Sequence, residues 1–253
     1  MVDGTWNAPP EQYFVPTAHA GDGAGYGLVP PHAMRALMVG IRVGALVMAG
    51  GMAQRMGGGD KPLLQLGGMT CLGRILARLR PCCAAIAISA NGDPARFAAY
   101  GLPVLADRVA GVGPLAGVLA GLEWAAGQGC DVLVTVPGDT PFIPAGLVSR
   151  LLPAPSFAAS GGQRHSLVAA WPVGCRILLA RQLDGITPET RREMTRVRTL
   201  ADTLGARGVD FAVPPGGPDP FMNINTPADY AMARHHARGW MTTRPCPENT
   251  IQP

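Results

Sequence analysis

Apolar residues follow two alternating patterns between residues 42 and 152. Short continuous apolar runs are typical of strands that are buried on both faces of a parallel sheet. They lie at residues 43–48, 85–89, 103–105 and 132–136. Apolar residues at helical spacing lie between and after them, at residues 69–79, 113–126 and 145–152. This alternation predicts an α/β fold with a mostly parallel, Rossmann-like sheet and right-handed crossovers.

The pattern weakens beyond residue 155. It favours a strand at 166–171, an arginine-rich helix at 189–204 and a strand at 209–213. A last helix opens at Thr226, a good N-cap, with proline in its first position and an acid in its first turn. We therefore expect one α/β domain over residues 42–239. Residues 1–41, rich in Gly and Pro, are predicted to be a flexible N-terminal extension, and residues 240–253 a flexible tail. A natural start at Met34 or Met38 is a further hypothesis.

Composition narrows the class of protein. Charged residues make up only 15% of the 253 residues and apolar residues 47%, which argues against disorder. The net charge of +4 is dispersed, so no nucleic-acid-binding tract is expected, and no apolar run is long enough for a membrane helix. The six cysteines show no CxxC spacing. They indicate free thiols in a reducing, cytoplasmic setting.

A glycine-rich loop with two cations follows the first predicted strand of this domain. It runs over residues 49–61 and contains Arg55 and Lys61. Glycines at the carboxyl end of a strand let backbone N–H groups approach phosphate oxygens. The spacing fits neither GxxxxGK[ST] nor GxGxxG. Lys61 is the single lysine beside twenty arginines, which indicates a position where a compact ammonium is needed.

Two carboxylates also follow predicted strands. Asp107 and Asp139 should reach the same edge of the sheet as the glycine loop. Mg²⁺ in polyphosphate chemistry is held by one or two carboxylates together with phosphate oxygens. Asp139, fixed in a Gly-Asp-Thr-Pro turn, is the predicted metal ligand, whereas helix capping or a turn remains open for Asp107. No Ser-His-Asp or Cys-His arrangement is evident in the sequence.

Four motifs in this order resemble the molybdenum cofactor guanylyltransferases of the MobA type. They are Met48-Ala49-Gly50-Gly51 through Asp60-Lys61, Gly113-Pro114-Leu115-Ala116-Gly117, Asp139-Thr140-Pro141-Phe142, and Asn223-Ile224-Asn225-Thr226-Pro227. The resemblance covers about residues 43–238. It implies a three-layer αβα nucleotidyltransferase fold.

The resemblance also implies the site and the reaction. Catalytic roles fall to Lys61, Arg55 and Asp139, with Asp139 as the Mg²⁺ ligand. Nucleotide and cofactor binding falls to Met48, Ala49, Gly50, Gly51, Lys61, Ser89, Asp107, Asp139, Asn223 and Asn225. Ser89 stands where the family often has asparagine, and residues 164–171 resemble a segment near the pterin end.

The implied reaction transfers GMP from GTP to the phosphate of Mo-molybdopterin and releases pyrophosphate. A molybdoenzyme or chaperone that accepts the product is an expected partner. Two alternatives stay open from the sequence. One is a molybdopterin cytidylyltransferase or another small-molecule nucleotidyltransferase, and the other is a non-catalytic nucleotide-binding module.

Overall fold

The computed structural model describes residues 40–50, 60–107, 112–187 and 189–239, together with the backbone of two strands nearer the N-terminus. Gly51 and Arg55, two of the predicted site residues, lie outside these ranges. The tail predicted at 240–253 lies outside them as well. Within the described ranges, no helix is long and apolar enough to cross a membrane.

The chain divides into two compact units, residues 1–41 and residues 42–253, and the domain bounds expected from the sequence stay a prediction. Strands β1 (Tyr13–Thr17) and β2 (Gly25–Val29) lie in the first unit and pair antiparallel, with Tyr13 opposite Val29. The sequence did not predict these strands. That the rest of this region is flexible stays a prediction.

The second unit contains nine strands and seven α-helices within the described residues. Its strands are β3 (Val43–Met48), β4 (Gln65–Leu66), β5 (Met69–Thr70), β6 (Ala85–Ser89), β7 (Val104–Leu105), β8 (Val132–Pro137), β9 (Ser156–Ser160), β10 (Gln163–Pro172) and β11 (Arg207–Asp210). Its helices are α1 (Cys71–Leu79), α2 (Pro114–Gly127), α3 (Leu147–Leu151), α4 (Arg176–Asp184), α5 (Arg191–Met194), α6 (Val197–Thr203) and α7 (Pro227–Gly239). Short 3₁₀ helices occupy Lys61–Leu63, Pro94–Tyr100 and Val173–Cys175.

Seven of these strands form one sheet in the order β11-β9-β10-β8-β3-β6-β7. Only β10 runs antiparallel to its neighbours, β8 and β9, and the remaining pairs are parallel. The predicted mostly parallel sheet is confirmed. Strands β4 and β5 form a separate small hairpin.

Helices cover the sheet, as the three-layer prediction requires. Leu46 and Leu133 point from the sheet into a large core cluster that includes the apolar residues of α2, α4 and α6. Helix α2 approaches the sheet closely at Gly121, where a Cβ atom would lie 2.5 Å from Cδ2 of Leu46. A second cluster joins Leu66 of β4 to residues of α1 and α7. These contacts pack α2, α4 and α6 against the sheet and α1 and α7 against the small hairpin.

Several elements differ from the sequence prediction, including β11, which was expected at 209–213 and lies at Arg207–Asp210. The arginine-rich helix expected at 189–204 is two helices, α5 and α6, because Arg196 between them has extended backbone angles. Strand β10 begins three residues earlier than the strand expected at 166–171 and contains an irregularity between His165 and Ala169. Strand β9 and helix α4 were not predicted at all.

Candidate functional site

The carboxyl ends of β3, β6 and β8 meet at one edge of the sheet. Met48 lies in register with Ser89 on one side and Pro137 on the other. The backbone continues this pairing past the strands, since the amide of Ala49 donates to the carbonyl of Ser89 at 2.8 Å and that of Gly138 to Met48 at 2.9 Å. The segments that follow each strand are therefore held side by side, which is where ligands bind in open α/β sheets.

A cleft of about 810 Å³ opens above these strand ends. Its volume lies in the range of small-molecule sites, about 300–1,000 Å³. It is lined by Met48, Ala49, Gly50, Asp60, Lys61, Pro62, Ser89, Asn91, Gly92, Arg96, Asp107, Gly113, Pro114, Gly117, Pro137, Asp139, Leu167 and Asn223. Most of the predicted site residues therefore share one cavity, although they are spread over 176 positions of the chain.

Lys61 and Asp139 form the charged centre of the cleft. Nζ of Lys61 lies 3.5 Å from Oδ2 of Asp139, and the two side chains are 16% and 19% exposed. The same ammonium donates a hydrogen bond to Oδ1 of Asn225. Lys61 begins a short 3₁₀ helix with Pro62 in its first turn, which fixes the direction of its backbone. One ammonium thus bridges a carboxylate and an amide from two distant segments.

Burial dominates the titration of Asp139. It raises the pKa of the carboxyl above its ordinary value, while the charge of Lys61 and the hydrogen bond from it lower that pKa and offset part of the effect. The ionised carboxylate is therefore less stable here than in water. An added cation would stabilise it.

Asp107 is held by an amide that the sequence did not single out. Nδ2 of Asn91 donates to Oδ2 of Asp107 at 2.7 Å, and the backbone amide of Asp107 donates to Oδ1 of Asn91 at 2.9 Å. Arg96 donates to the carbonyl of Asn91 and also lies 3.4 Å from Asp60. Asp107 therefore lines the cleft in a fixed direction, while metal binding, helix capping and a turn stay open for it.

Two glycines let the backbone come close to the cleft. A Cβ atom at Gly117, in the first turn of α2, would lie 2.5 Å from Oγ of Ser89 and 3.4 Å from Oδ1 of Asp107. At Gly138 it would lie 2.8 Å from Cγ of Pro62. A methyl group at Gly117 would therefore clash with Ser89 and crowd Met48, whose Cε would lie 3.2 Å away, and would only touch Asp107.

The segment 221–226 brings Asn223 and Asn225 to the site. Oγ1 of Thr140 donates to Oδ1 of Asn223 at 3.0 Å, and the amide of Ile224 donates to the carbonyl of Asp139 at 3.0 Å. Helix α7 follows at once. Oδ2 of Asp229 accepts the amides of Asn225 and Thr226, and Oγ1 of Thr226 accepts the amide of Asp229. The predicted N-cap at Thr226 is confirmed.

A Ser-His-Asp group is present, contrary to the expectation from the sequence. Oγ of Ser160 lies 2.8 Å from Nε2 of His165 and 2.8 Å from each carboxylate oxygen of Asp219. The serine stands between the other two, and its side chain is fully buried. In a hydrolytic triad the histidine stands in the middle and the serine is accessible. This group therefore lacks the arrangement of a nucleophile.

The sequence singled out Lys61, Asp107 and Asp139 but missed three other charged or polar residues that line the same cleft. The cleft contains Met48, Ala49, Gly50, Lys61, Ser89, Asp107, Asp139 and Asn223, and Asn225 lies against Lys61. The missed residues are Asp60, Asn91 and Arg96. A polar residue two positions after a buried strand, as Asn91 is after Ser89, was the signal available for one of them.

The donor set fits a hard divalent cation that is shared with phosphate. Among the described residues, no group of three or more His, Cys, Asp or Glu side chains could hold a metal alone. Mg²⁺ is commonly bound through one or two carboxylates plus substrate phosphates and water, and Asp139 supplies such a carboxylate. Burial raises the pKa of the nearby Cys71 thiol to about 12, so a thiolate ligand or nucleophile is not available there.

Comparisons with known proteins identify relatives of this chain. The family model described as the MobA-like NTP transferase domain matches residues 45–205. The chain is 49% identical over 191 residues to the molybdenum cofactor guanylyltransferase of Acidiphilium cryptum, a match covering 75% of this chain and 93% of that protein. It is 47% identical over 201 residues to the protein of the same name from Mesorhizobium japonicum, covering 76% and 94%.

A solved structure has the same fold at low sequence identity. It is the molybdopterin-guanine dinucleotide biosynthesis protein A of Archaeoglobus fulgidus, with a TM-score of 0.55 and 18% identity. The match covers 76% of this chain and 97% of that one.

Proposed function

The chain belongs to the MobA-like NTP transferase family and, within it, to the molybdenum cofactor guanylyltransferases, and we propose that it transfers GMP from GTP to the phosphate of Mo-molybdopterin. The observation that carries the proposal is the Lys61–Asp139 pair at the converging strand ends of a cleft large enough for a nucleotide. Nucleotide binding alone does not need a largely buried carboxylate beside a lysine. Transfer with a metal ion uses such a pair, because the carboxylate can hold the ion and the ammonium can bind phosphate.

In the proposed reaction, a phosphate oxygen of Mo-molybdopterin forms a bond to the α-phosphorus of GTP. The bond between that phosphorus and the oxygen leading to the β-phosphorus breaks, and pyrophosphate leaves with the electron pair. The nucleophile is already an anion, so no general base is needed. Positioning and charge neutralisation carry the catalysis. This requirement matches a site without a reactive serine or thiolate.

The charged groups have separate tasks in this proposal. Lys61 binds the phosphates through its ammonium, and Asn225 holds that ammonium in one orientation. Asp139 would hold Mg²⁺, which when bound would neutralise phosphate charge. Because burial disfavours the ionised Asp139 carboxylate, that carboxylate would be stabilised by a cation held there.

The nucleoside half of GTP is assigned to the other side of the cleft. Met48, Ala49 and Gly50 offer backbone there, and Asp107 offers a carboxylate whose direction Asn91 fixes. Gly117 leaves space beside that carboxylate. The contributions of Gly51 and Arg55, which the sequence also places in this site, stay predictions.

Purified protein with GTP or CTP, Mg²⁺ and molybdopterin tests the function through pyrophosphate release. We expect release with GTP and little with CTP. Preference for CTP would make the protein a cytidylyltransferase, and tight GTP binding without turnover would make it a nucleotide-binding module. Omission of Mg²⁺ should abolish release. The acceptor enzyme and the cytoplasmic location remain predictions from the sequence.

A further inference from the structure

The Ser160–His165–Asp219 group lies at the same sheet edge as the cleft but is not part of its lining. Strand β10 is antiparallel to β8, so the first residues of β10 lie at the carboxyl end of β8. Ser160 ends β9, and His165 is near the start of β10. The hairpin formed by these strands therefore stands beside the segment that carries Asp139.

The donor and the acceptor of each hydrogen bond in this group can be assigned without conflict. Asp219 as a carboxylate can only accept, and it takes the amide of Phe221 at 2.7 Å as well as the hydroxyl of Ser160. Ser160 has a single O–H, which is used toward Asp219. Nε2 of His165 must then carry the proton that is donated to Oγ of Ser160. The chain of donors runs from His165 through Ser160 to Asp219.

Both Asp219 and His165, the two ends of this row of hydrogen bonds, contact Phe221. Its amide is bound by Asp219, and its ring packs against the ring of His165 with centroids 4.9 Å apart. The ring also contacts Phe211 edge-on, at 5.2 Å. Phe221 is fully buried and lies only two residues before Asn223. Its placement therefore determines where the following segment enters the cleft.

The segment after Phe221 has its other fixed points inside the site. Asn223 is bound by Thr140, and Asn225 accepts from Lys61. At the far end, Asp229 holds the amide of Asn225. The segment 221–225 is thus fixed at one end by the hairpin and at the other by the cap of α7. A shift at the hairpin end would move both asparagines.

We propose that Ser160 and His165 are positioning residues of the transferase, which act by fixing segment 221–225 so that Asn225 orients the ammonium of Lys61. The proposal rests on the proposed function for its catalytic consequence. It differs from a direct contact between His165 and the pterin substrate, because it places the effect on Lys61. Loss of the hydrogen bonds from His165 through Ser160 to Asp219, called the relay below, should therefore lower kcat more than it weakens binding of either substrate.

The experiment compares His165→Leu, His165→Gln and Ser160→Ala, each in the wild-type chain and in an Asn225→Ala chain. The glutamine variant keeps an N–H donor at the reach of Nε2. Gln163→Ala, an exposed position on the same hairpin, is the matched control. Steady-state rates with GTP and molybdopterin are measured. Hydrogen exchange is followed for peptides spanning 219–226 and, as an internal reference, 43–48.

We expect His165→Leu and Ser160→Ala to lower kcat about tenfold, with the KM of each substrate changed by less than about threefold. His165→Gln should recover most of the loss, and Gln163→Ala should match the wild type. In the Asn225→Ala background, His165→Leu should lower kcat little further, because both changes remove the orientation of Lys61 by Asn225. Exchange should rise in 219–226 and stay unchanged in 43–48.

Three results would overturn the proposal. A wild-type kcat in both His165→Leu and Ser160→Ala would show that neither residue has a positioning role. Losses that add to those of Asn225→Ala, together with a raised KM for molybdopterin, would indicate direct substrate contact. Unchanged exchange in 219–226 would show that the hairpin does not fix the segment. If the wild-type protein showed no transfer at all, the proposed function would fail, and the exchange data would still decide the relay.

Discussion

Replacement of Lys61 by methionine removes the charge at the centre of the cleft and keeps the apolar stem. In the wild type its ammonium lies 3.5 Å from Oδ2 of Asp139, with both side chains largely buried. Coulomb's law with an effective dielectric constant of about 20 gives roughly 5 kcal/mol for two unit charges at that separation. A phosphate oxygen bound to the same ammonium would interact at similar strength.

Only the part of this interaction that grows in the transition state affects kcat. Removing one preorganised donor from a developing anion typically costs about 3–4 kcal/mol, or a factor of about 10²–10³. We expect Lys61→Met to lower kcat/KM for GTP by that factor. Lys61→Arg keeps the charge, but its planar fork cannot place one nitrogen between Asp139 and Asn225 as the ammonium does. A loss of about tenfold or more is expected for it.

The assay is pyrophosphate release with saturating Mg²⁺ and molybdopterin, at several GTP concentrations. Arg198→Met serves as the control, since it removes a cation that is 72% exposed and pairs with Asp202. Urea unfolding of each variant establishes that it is folded. A Lys61→Met enzyme within threefold of the wild type would refute the assignment of this lysine to the phosphates. A large loss in Arg198→Met would show that net charge, rather than position, sets the rate.

Three further predictions concern other parts of the fold. Asp139→Asn should abolish transfer yet raise the urea midpoint near pH 8, because burial raises the pKa of this carboxyl and its ionised form destabilises the fold; the gain should shrink as the pH falls through the raised pKa. Gly117→Ala should weaken GTP binding about tenfold in a nucleotide titration, whereas Gly127→Ala in the same helix, where a Cβ atom meets nothing within 4 Å, should leave it unchanged. Thr135→Val should lower the free energy of unfolding by about 2–4 kcal/mol, since it strands the indole N–H of Trp171 and a backbone carbonyl in the core; a cost under 0.5 kcal/mol would contradict this.

The sequence predicted best the strands and helices that carry a clear local pattern of apolar residues. Strands β3 and β6 have the predicted bounds, because each is a continuous apolar run. Strand β9 consists mostly of small residues and obtains its pairing from β10 and β11, so no local pattern marks it. Long helices were correct to within two residues at their ends.

The same distinction applies to the site. Lys61 and Asp139 were found because each follows a strand and carries charge, so the local sequence is sufficient. Asn91 was missed because its value depends on Asp107, sixteen residues away. The Ser160–Asp219 contact joins residues 59 positions apart, and only the folded sheet brings them together. Pairs of polar residues in different loops cannot be predicted from spacing.

Because β10 is the one antiparallel strand among the described strands of the sheet, residues that lie before a strand, as well as residues that lie after strands, reach the edge where the cleft lies. A parallel β10 would have turned its preceding hairpin toward the opposite edge of the sheet, whereas the observed direction delivers the turn at 161–162 to the working edge. The residues at the start of β10 therefore lie at the same edge as the residues that follow β3, β6 and β8. Leu167 of β10 lines the cleft, so a change of length at 161–162 would act on that side of it, while the strands that precede Lys61, Asp107 and Asp139 keep their register.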